Sequence, residues 1–344
     1  DSRHACRPLY VMDEAKELRW DGIIGHERNI ARLRTMLRDG RLSHALLFAG
    51  LAGVGKRRTA QVLAAAFLCR GKDAPCGACP SCRALLAGTH PDYIELAPEL
   101  RGKGTRLIRV DDVRRMERAV SRKPMLSDRF AVLVDEAETM NEAAANALLK
   151  TLEEPPGEAL FILVTARPAA LLPTILSRLS PVRFGALTPE DIEGALAARG
   201  VESAAARALA AAADGSLGQA LALQEEGGLA LADDAAKTLL SLDDMDMFRL
   251  WEKAEQLGKL PREGAVDWLR ALARLLRDML VLYAGAGALY HEERRQELAG
   301  RLVDFPEARI FSQLAFVQET IRRFRSNASP PLLFEGLLLR LKDA

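Results

Sequence analysis

Between residues 45 and 186, short apolar runs alternate with stretches of helical period. Ala45-Leu46-Leu47-Phe48-Ala49, Tyr93-Ile94-Glu95-Leu96, Phe130 to Val134 and Leu160 to Val164 have the length and composition of buried strands. Between them, Thr59 to Cys69, Val110 to Val120 and Glu142 to Leu152 place apolar residues three and four apart, as one face of a helix does. Buried strands alternating with helices predict an α/β domain built on a parallel sheet. After Phe184 the texture changes. Thr188-Pro189-Glu190-Asp191 reads as a helix start, with Thr188 as N-cap, Pro189 in the first position and Asp191 closing a capping box. An Ala-rich helical stretch follows to Leu223, Gly227-Gly228 interrupts it, and from about Asp233 onward only helical patterns remain. The expected organisation is a poorly defined segment over 1–19, an α/β domain over 20–186, a small helical domain over 187–230 and an all-α domain over 231–344.

The chain has 344 residues, enough for two or three domains with substantial cores. Hydrophobic residues at 49% and charged residues at 28% exclude collagen-like and disordered classes. A net charge of +1, from 48 Lys and Arg against 47 Asp and Glu, argues against a basic nucleic-acid coat. Arginine supplies 38 of those cations and is spread along the whole chain, so no single arginine is singled out by composition. No apolar run approaches the roughly 18 residues of a membrane helix. The opening Asp1-Ser2-Arg3-His4 lacks the apolar segment of a secretory signal. Residues 1–11 show no period, and we expect the natural start at Val11 or Met12, which would leave Cys6 without meaning.

Gly50-Leu51-Ala52-Gly53-Val54-Gly55-Lys56 follows the first strand and opens a helix, the context in which G-x-x-x-x-G-K cradles phosphate. Gly50, Gly53 and Gly55 let backbone N–H groups turn toward an anion at a helix N-terminus, and Lys56 reaches the terminal phosphates. The bland alternative is a glycine-rich turn. The position after Lys56 is Arg57, where a Ser or Thr hydroxyl normally holds Mg²⁺, and Thr59 is on the wrong side of the helix to replace it. Asp135-Glu136 after the third strand has the form of a Walker B end, with Asp135 toward Mg²⁺ and Glu136 toward the attacking water. Nucleotide-binding ancestry is strongly indicated and catalysis is not.

Cys69, Cys76, Cys79 and Cys82 have the spacing C-x6-C-x2-C-x2-C, with Pro75, Gly77 and Pro80 supplying the turns. Four converging thiolates fit a closed, tetrahedral, structural Zn²⁺ site in a reduced compartment. An empty site or an iron–sulfur cluster is the alternative. His90, a lone histidine nearby, is expected at the surface or in a turn. Residues 101–123 carry nine cations (Arg101, Lys103, Arg106, Arg109, Arg114, Arg115, Arg118, Arg122, Lys123) against three acids, either a solvated helix face or a phosphate-contacting patch. Arg178, shortly after the fourth strand, is either a surface arginine or one delivered to a neighbouring subunit's nucleotide.

Several segments together resemble the bacterial DNA polymerase III clamp-loader subunits of the AAA+ class, and within them the delta-prime branch. The carrying residues are Ile23-Ile24-Gly25-His26, Ser43 to Phe48 leading into the P-loop, the cysteine module at 69–82, Asp135 to Met140, Asn146 to Pro156 with its Leu-Leu-Lys-Thr-Leu-Glu-Glu-Pro string, and Thr174 to Arg178. The resemblance implies an α/β AAA+ P-loop domain, a small helical lid and an all-α collar. It implies Thr165 as the sensor 1 residue and Arg178 as a trans arginine finger, although Leu179 replaces the family's cysteine. Gly218 falls where motor subunits carry the sensor 2 arginine. A non-motor part of a nucleotidyltransferase holoenzyme is therefore expected, with a vestigial ATP/Mg²⁺ site and no ATPase activity of its own. The implied partners are gamma/tau and delta subunits and, through the complex, the sliding clamp and primed DNA in the bacterial cytoplasm. An ATP-hydrolysing gamma/tau-type motor and a zinc-stapled nucleic-acid-binding protein are the rival readings.

Overall fold

The computed structural model describes residues 18–99, 106–225, 228–285, 287, 289–324 and 329–343, which fall into two compact units meeting at Asp191/Ile192. Residues 1–17, with the expected N-terminal segment and Cys6, lie outside the described residues, as do Arg101 and Lys103 of the basic stretch and Gly227.

The first unit runs α1 (Glu27–Arg38), β1 (Ala45–Gly50), α2 (Lys56–Leu68), α3 (Pro80–Leu86), β2 (Tyr93–Leu96), α4 (Val110–Val120), β3 (Phe130–Val134), α5 (Glu142–Glu153), β4 (Ala159–Thr165), α6 (Pro173–Leu176), β5 (Ser180–Phe184) and the start of α7 (Pro189–Ala197). The strands form one parallel sheet in the order β2-β3-β4-β1-β5. β3 and β4 are buried along their whole length, which is why they read as continuous apolar runs and not as alternation. Successive side chains go to opposite faces. Leu47, Val132, Val134, Phe161 and Leu163 pack with Val113 and Met116 of α4, Leu148 of α5 and Ile175 of α6. α2 covers β1, β3 and β4 with Val62, Leu63 and Ala66, all buried. Each large apolar side chain so buried is worth about 1.5–3 kcal/mol. The expected α/β parallel-sheet domain is thus the observed one.

The fifth strand and the helices α1, α3 and α6 are additions to the sequence reading. β5 has only five residues, includes Pro181 and sits at the sheet edge, where a missing N–H is tolerated. The capping box at α7 is present in both halves: Asp191 N–H donates to Thr188 Oγ1 (3.1 Å) and Thr188 N–H donates to Asp191 Oδ2 (3.3 Å).

The second unit is helical. It contains the rest of α7, then α8 (Ser203–Ala212), α9 (Leu217–Glu225), α10 (Gly228–Ser241), α11 (Met247–Gly258), α12 (Arg262–Ala284), α13 (Arg295–Arg301), α14 (Glu307–Arg323) and α15 (Pro330–Asp343). α12 is its axis. Trp268, Leu272, Leu275 and Met279 are buried between α10 and α14, and the Trp268 indole donates to Asp234 Oδ2 at 2.7 Å. Gln219 of α9 is fixed to α12 through Asp267 (2.9 Å) and Arg270 (3.1 Å). The neighbouring Gly218 is exposed.

Candidate functional site

The C-terminal ends of β1, β3 and β4 lie side by side, and the sheet thereby assembles one site from distant segments. Register pairs Ala49 with Thr165, and Val134, just before Asp135, with Leu163. The P-loop therefore faces Asp135 and Thr165 across the end of the sheet, where α/β folds bind ligands. Gly50, Gly53, Gly55, Lys56, Asp135, Glu136 and Thr165 are all delivered to this edge.

Gly50 has φ +157, and a Cβ there would sit 2.2 Å from the Phe184 carbonyl oxygen, so no other residue fits between β1 and β5. Gly53 and Gly55 have φ +73 and +95, the left-handed backbone that turns the loop into α2. His26 Nε2 lies 2.9 Å from the Val54 carbonyl oxygen and holds the loop from outside. Lys56 is 5% exposed, and its ammonium donates to the carbonyls of Gly50 (2.9 Å) and Leu51 (2.5 Å). Burial brings this lysine below its usual range, against the opposing pull of Glu138 and Asp135. Thr59 Oγ1 donates back to the Gly55 carbonyl at 3.0 Å, so its hydroxyl is indeed turned into its own helix.

Arg57 takes a different course. Its Nε donates to Glu95 Oε1 at 2.8 Å, its Nη2 stands 2.7 Å from the same oxygen, and Nε lies 3.5 Å from Asp135 Oδ2. Glu95 is itself held by the Tyr93 hydroxyl (2.8 Å) and Gln61 Nε2 (3.4 Å). Burial raises the Asp135 carboxyl above its usual range, with Arg57 pulling the other way. Glu136, in the left-handed region at φ +46, is exposed. Thr165 is 1% exposed, and its Oγ1 accepts from Arg167 N–H at 3.0 Å. Glu138 reaches under the same edge: one carboxylate oxygen accepts from Ala166 N–H (3.3 Å), and the other is buried with no hydrogen-bond partner. The side chains present do not fit a divalent cation. The ligand hydroxyl is missing, and a guanidinium already pairs with Asp135. Glu95 and Glu138 escaped the sequence reading because one lay inside a strand run and the other inside a motif.

Arg178 is not brought to this edge. It precedes β5, whose first residue Ser180 pairs with Leu46 while Phe184 pairs with Gly50. At about 3.3 Å per residue the start of that strand is roughly 13 Å from the P-loop end. Arg178 donates to the Thr174 carbonyl (2.8 Å) and Ser177 Oγ (3.3 Å), and pairs with Glu153 at the end of α5.

The cysteine module is also remote. α2 has 13 residues, so Cys69 lies about 20 Å along it from Lys56. The four sulfur atoms all lie within 4.8 Å of one another, with Cys69–Cys79 at 3.9 Å and Cys76–Cys82 at 4.0 Å. A tetrahedron of 2.3 Å Zn–S bonds has edges of about 3.8 Å, so the donor set fits. Backbone N–H groups of Gly71, Cys76, Cys79 and Cys82 point at these sulfurs at 3.2–3.4 Å. Burial alone would raise the Cys79 thiol, but backbone N–H groups of Cys82 and Arg70 bring it down to about 6. A Cβ on Gly71 would come within 2.9 Å of Cys76 Sγ, so the turn needs glycine.

His90 corrects the sequence reading. It is 6% exposed, its Nε2 is 2.6 Å from Ser81 Oγ in α3, and its Nδ1 accepts from Asp92 N–H at 3.0 Å. Accepting at Nδ1 leaves the proton on Nε2, so the imidazole donates to Ser81 and pins the cysteine module to β2. A lone histidine gives no periodic signal of such a partner. In the basic stretch, Arg114, Arg115, Arg118, Arg122 and Lys123 are exposed.

A family model described as DNA polymerase III, delta subunit matches residues 25–188. The DNA polymerase III subunit delta' of Escherichia coli is 34% identical over 311 residues, covering 88% of this chain and 90% of that protein. Subunit delta' of Pseudomonas aeruginosa is 48% identical over 138 residues, 40% of this chain and 41% of that protein. The gamma/tau subunit of Mycobacterium bovis is 32% identical over 359 residues, 93% of this chain and 60% of that protein. With the P-loop α/β unit, the cysteine module and these likenesses together, the chain belongs to the delta-prime family of DNA polymerase III clamp-loader subunits.

Proposed function

We propose that this clamp-loader subunit is a non-motor member: it supports ATP-driven loading of the sliding clamp on primed DNA but hydrolyses no ATP itself. The observation that carries the reading is Arg57, paired with Glu95 and Asp135 where a metal-holding hydroxyl belongs. Gly218 in the sensor 2 position argues the same way, since glycine offers no charge to a phosphate. Arg178, by contrast, is retained and lies far from its own P-loop, as an arginine serving the γ-phosphate of a neighbouring gamma/tau subunit must be. In this reading residues 187–230 act as lid, 231–344 form the collar that joins gamma/tau and delta subunits, and the assembly works in the bacterial cytoplasm. No helix among the described residues is long and apolar enough to cross a membrane. The cysteines would hold one structural Zn²⁺, a closed site that ties the end of α2 to α3 and supplies no chemistry to the nucleotide edge.

The test is a loader reconstituted from this chain with gamma/tau and delta subunits. The isolated chain is expected to show negligible ATP hydrolysis, and Lys56→Ala is expected to leave clamp loading within about twofold of the unmutated complex. A loss beyond tenfold with assembly intact would refute the non-motor reading.

A further inference from the structure

The non-motor reading says that the site does not turn over; the geometry around Arg57 points to how it is closed. We propose that the Arg57 guanidinium is a built-in replacement for the divalent cation, and that Glu95 is the positioning residue that holds it there. The inference rests on the non-hydrolysing reading of this site but makes a separate claim, that Mg²⁺ is excluded.

Asp135 follows β3 and Glu95 lies in β2, on adjacent parallel strands whose ends are joined by Asp135 N–H donating to the Leu96 carbonyl at 2.8 Å. Two carboxylates from neighbouring strand ends beside a P-loop form a donor set suited to a hard cation. Here one guanidinium stands between them, 2.7 Å from Glu95 and 3.5 Å from Asp135. Glu95 cannot swing away cheaply, because Tyr93 and Gln61 hold its second oxygen. The carboxylates are largely shielded, with side-chain exposures of 15% and 14% against 32% for Arg57. A divalent ion entering beside Asp135 would meet a fixed positive charge about 4 Å away, and like charges at that separation repel strongly in a partly shielded site. Arginine stays charged throughout the accessible pH range, so this cation does not titrate off. The guanidinium therefore balances one of the two carboxylate charges from within the chain.

The experiment is a Mn²⁺ titration followed by electron paramagnetic resonance, with a non-hydrolysable ATP analogue present, on the full-length chain and its variants. The unmutated chain is expected to show no Mn²⁺ site that depends on Asp135. Arg57→Thr, which restores a hydroxyl and removes the charge, should gain one such site at least about tenfold tighter than any in the unmutated chain, and Asp135→Asn added to it should abolish the gain. Arg57→Gln, which removes the charge and keeps the length, should gain a weaker site and serves if the threonine variant does not fold, as judged by circular dichroism and metal content. Tight Asp135-dependent Mn²⁺ binding by the unmutated chain, or no gain in either folded variant, overturns the proposal. Neither result decides the non-motor reading, which falls if the unmutated chain hydrolyses ATP or if Lys56→Ala costs clamp loading more than tenfold with assembly intact.

Discussion

Asp92 is the joint on which the nucleotide edge and the cysteine module both hang, and replacing it with asparagine should loosen the first unit severely. Its carboxylate is wholly buried and accepts N–H bonds from Met125 (2.6 Å), Leu126 (2.8 Å) and Ser127 (2.7 Å), with Ser127 Oγ at 3.2 Å. Its carbonyl receives Ala131 N–H at 3.0 Å and so sets the β2–β3 register. β2, which starts at the next residue, carries Tyr93 and Glu95, and His90 on the other side reaches Ser81. An amide has one acceptor oxygen, so Asp92→Asn keeps that oxygen toward Leu126 and Ser127 and turns an NH₂ toward the Met125 N–H. Hydrogen bonds to a charged acceptor contribute about 1.5–3 kcal/mol each and neutral ones about 0.5–1.5, so losing one and weakening two costs about 3–6 kcal/mol. That is a large share of a typical domain's 5–15 kcal/mol. The pH dependence has a definite sign. Burial would raise the Asp92 carboxyl, but the three N–H groups hold it below its usual range. Its contribution is therefore complete above the unfolded value near 4 and is lost as pH falls through the lower folded value. Hydrogen exchange at the amides of 125–127, together with urea unfolding at pH 7 and pH 3, measures both effects. A loss below about 1 kcal/mol at pH 7, or a difference between the two proteins that does not shrink in acid, refutes the reasoning.

Metal content gives a second check: protein purified under reducing conditions without chelator should carry about one Zn²⁺ per chain, and Cys79→Ser should lose it and lower the unfolding temperature of the first unit. Zinc-free protein of unchanged stability would contradict the staple. Glu153→Gln removes the ion pair to Arg178, but both side chains are about a third to a half exposed, so stability should change by less than about 1 kcal/mol in a denaturation series.

Much of the first unit was legible because its signals are local. The runs at 45–49, 130–134 and 160–164 are apolar on both faces and bounded by turn residues, so they read as central parallel strands. The P-loop and the cysteines announce themselves by spacing. β5 was not legible: Ser180-Pro181-Val182-Arg183-Phe184 is short, alternating and broken by proline, and only its edge position makes it a strand. The partners of Arg57 were out of reach as well. Glu95 stands 38 residues away and Asp135 78 away, and nothing in either local pattern says that parallel strand ends will bring them to one guanidinium. His90 failed for the same reason, since its bond to Ser81 depends on how the chain folds back after α3. Sequence pattern thus pointed to the end of the sheet as a nucleotide-type site, and tertiary contact showed which charges meet there.

The central claim is that this chain serves a neighbour's nucleotide and not its own, and Arg178 tests it most directly. Among the described residues Arg178 is held by Glu153, Thr174 and Ser177 at the chain surface, so Arg178→Ala should leave folding, zinc content and assembly intact. An arginine that completes a γ-phosphate site contributes about 10³–10⁵-fold to turnover there, diluted in the whole complex by interfaces that carry their own arginines. Clamp- and DNA-dependent ATPase and clamp loading by the reconstituted complex should therefore fall clearly in Arg178→Ala. Arg178→Lys should recover little, because a point charge lacks the planar fork that spans two phosphate oxygens. Loading at the unmutated rate by fully assembled Arg178→Ala complexes would contradict the account.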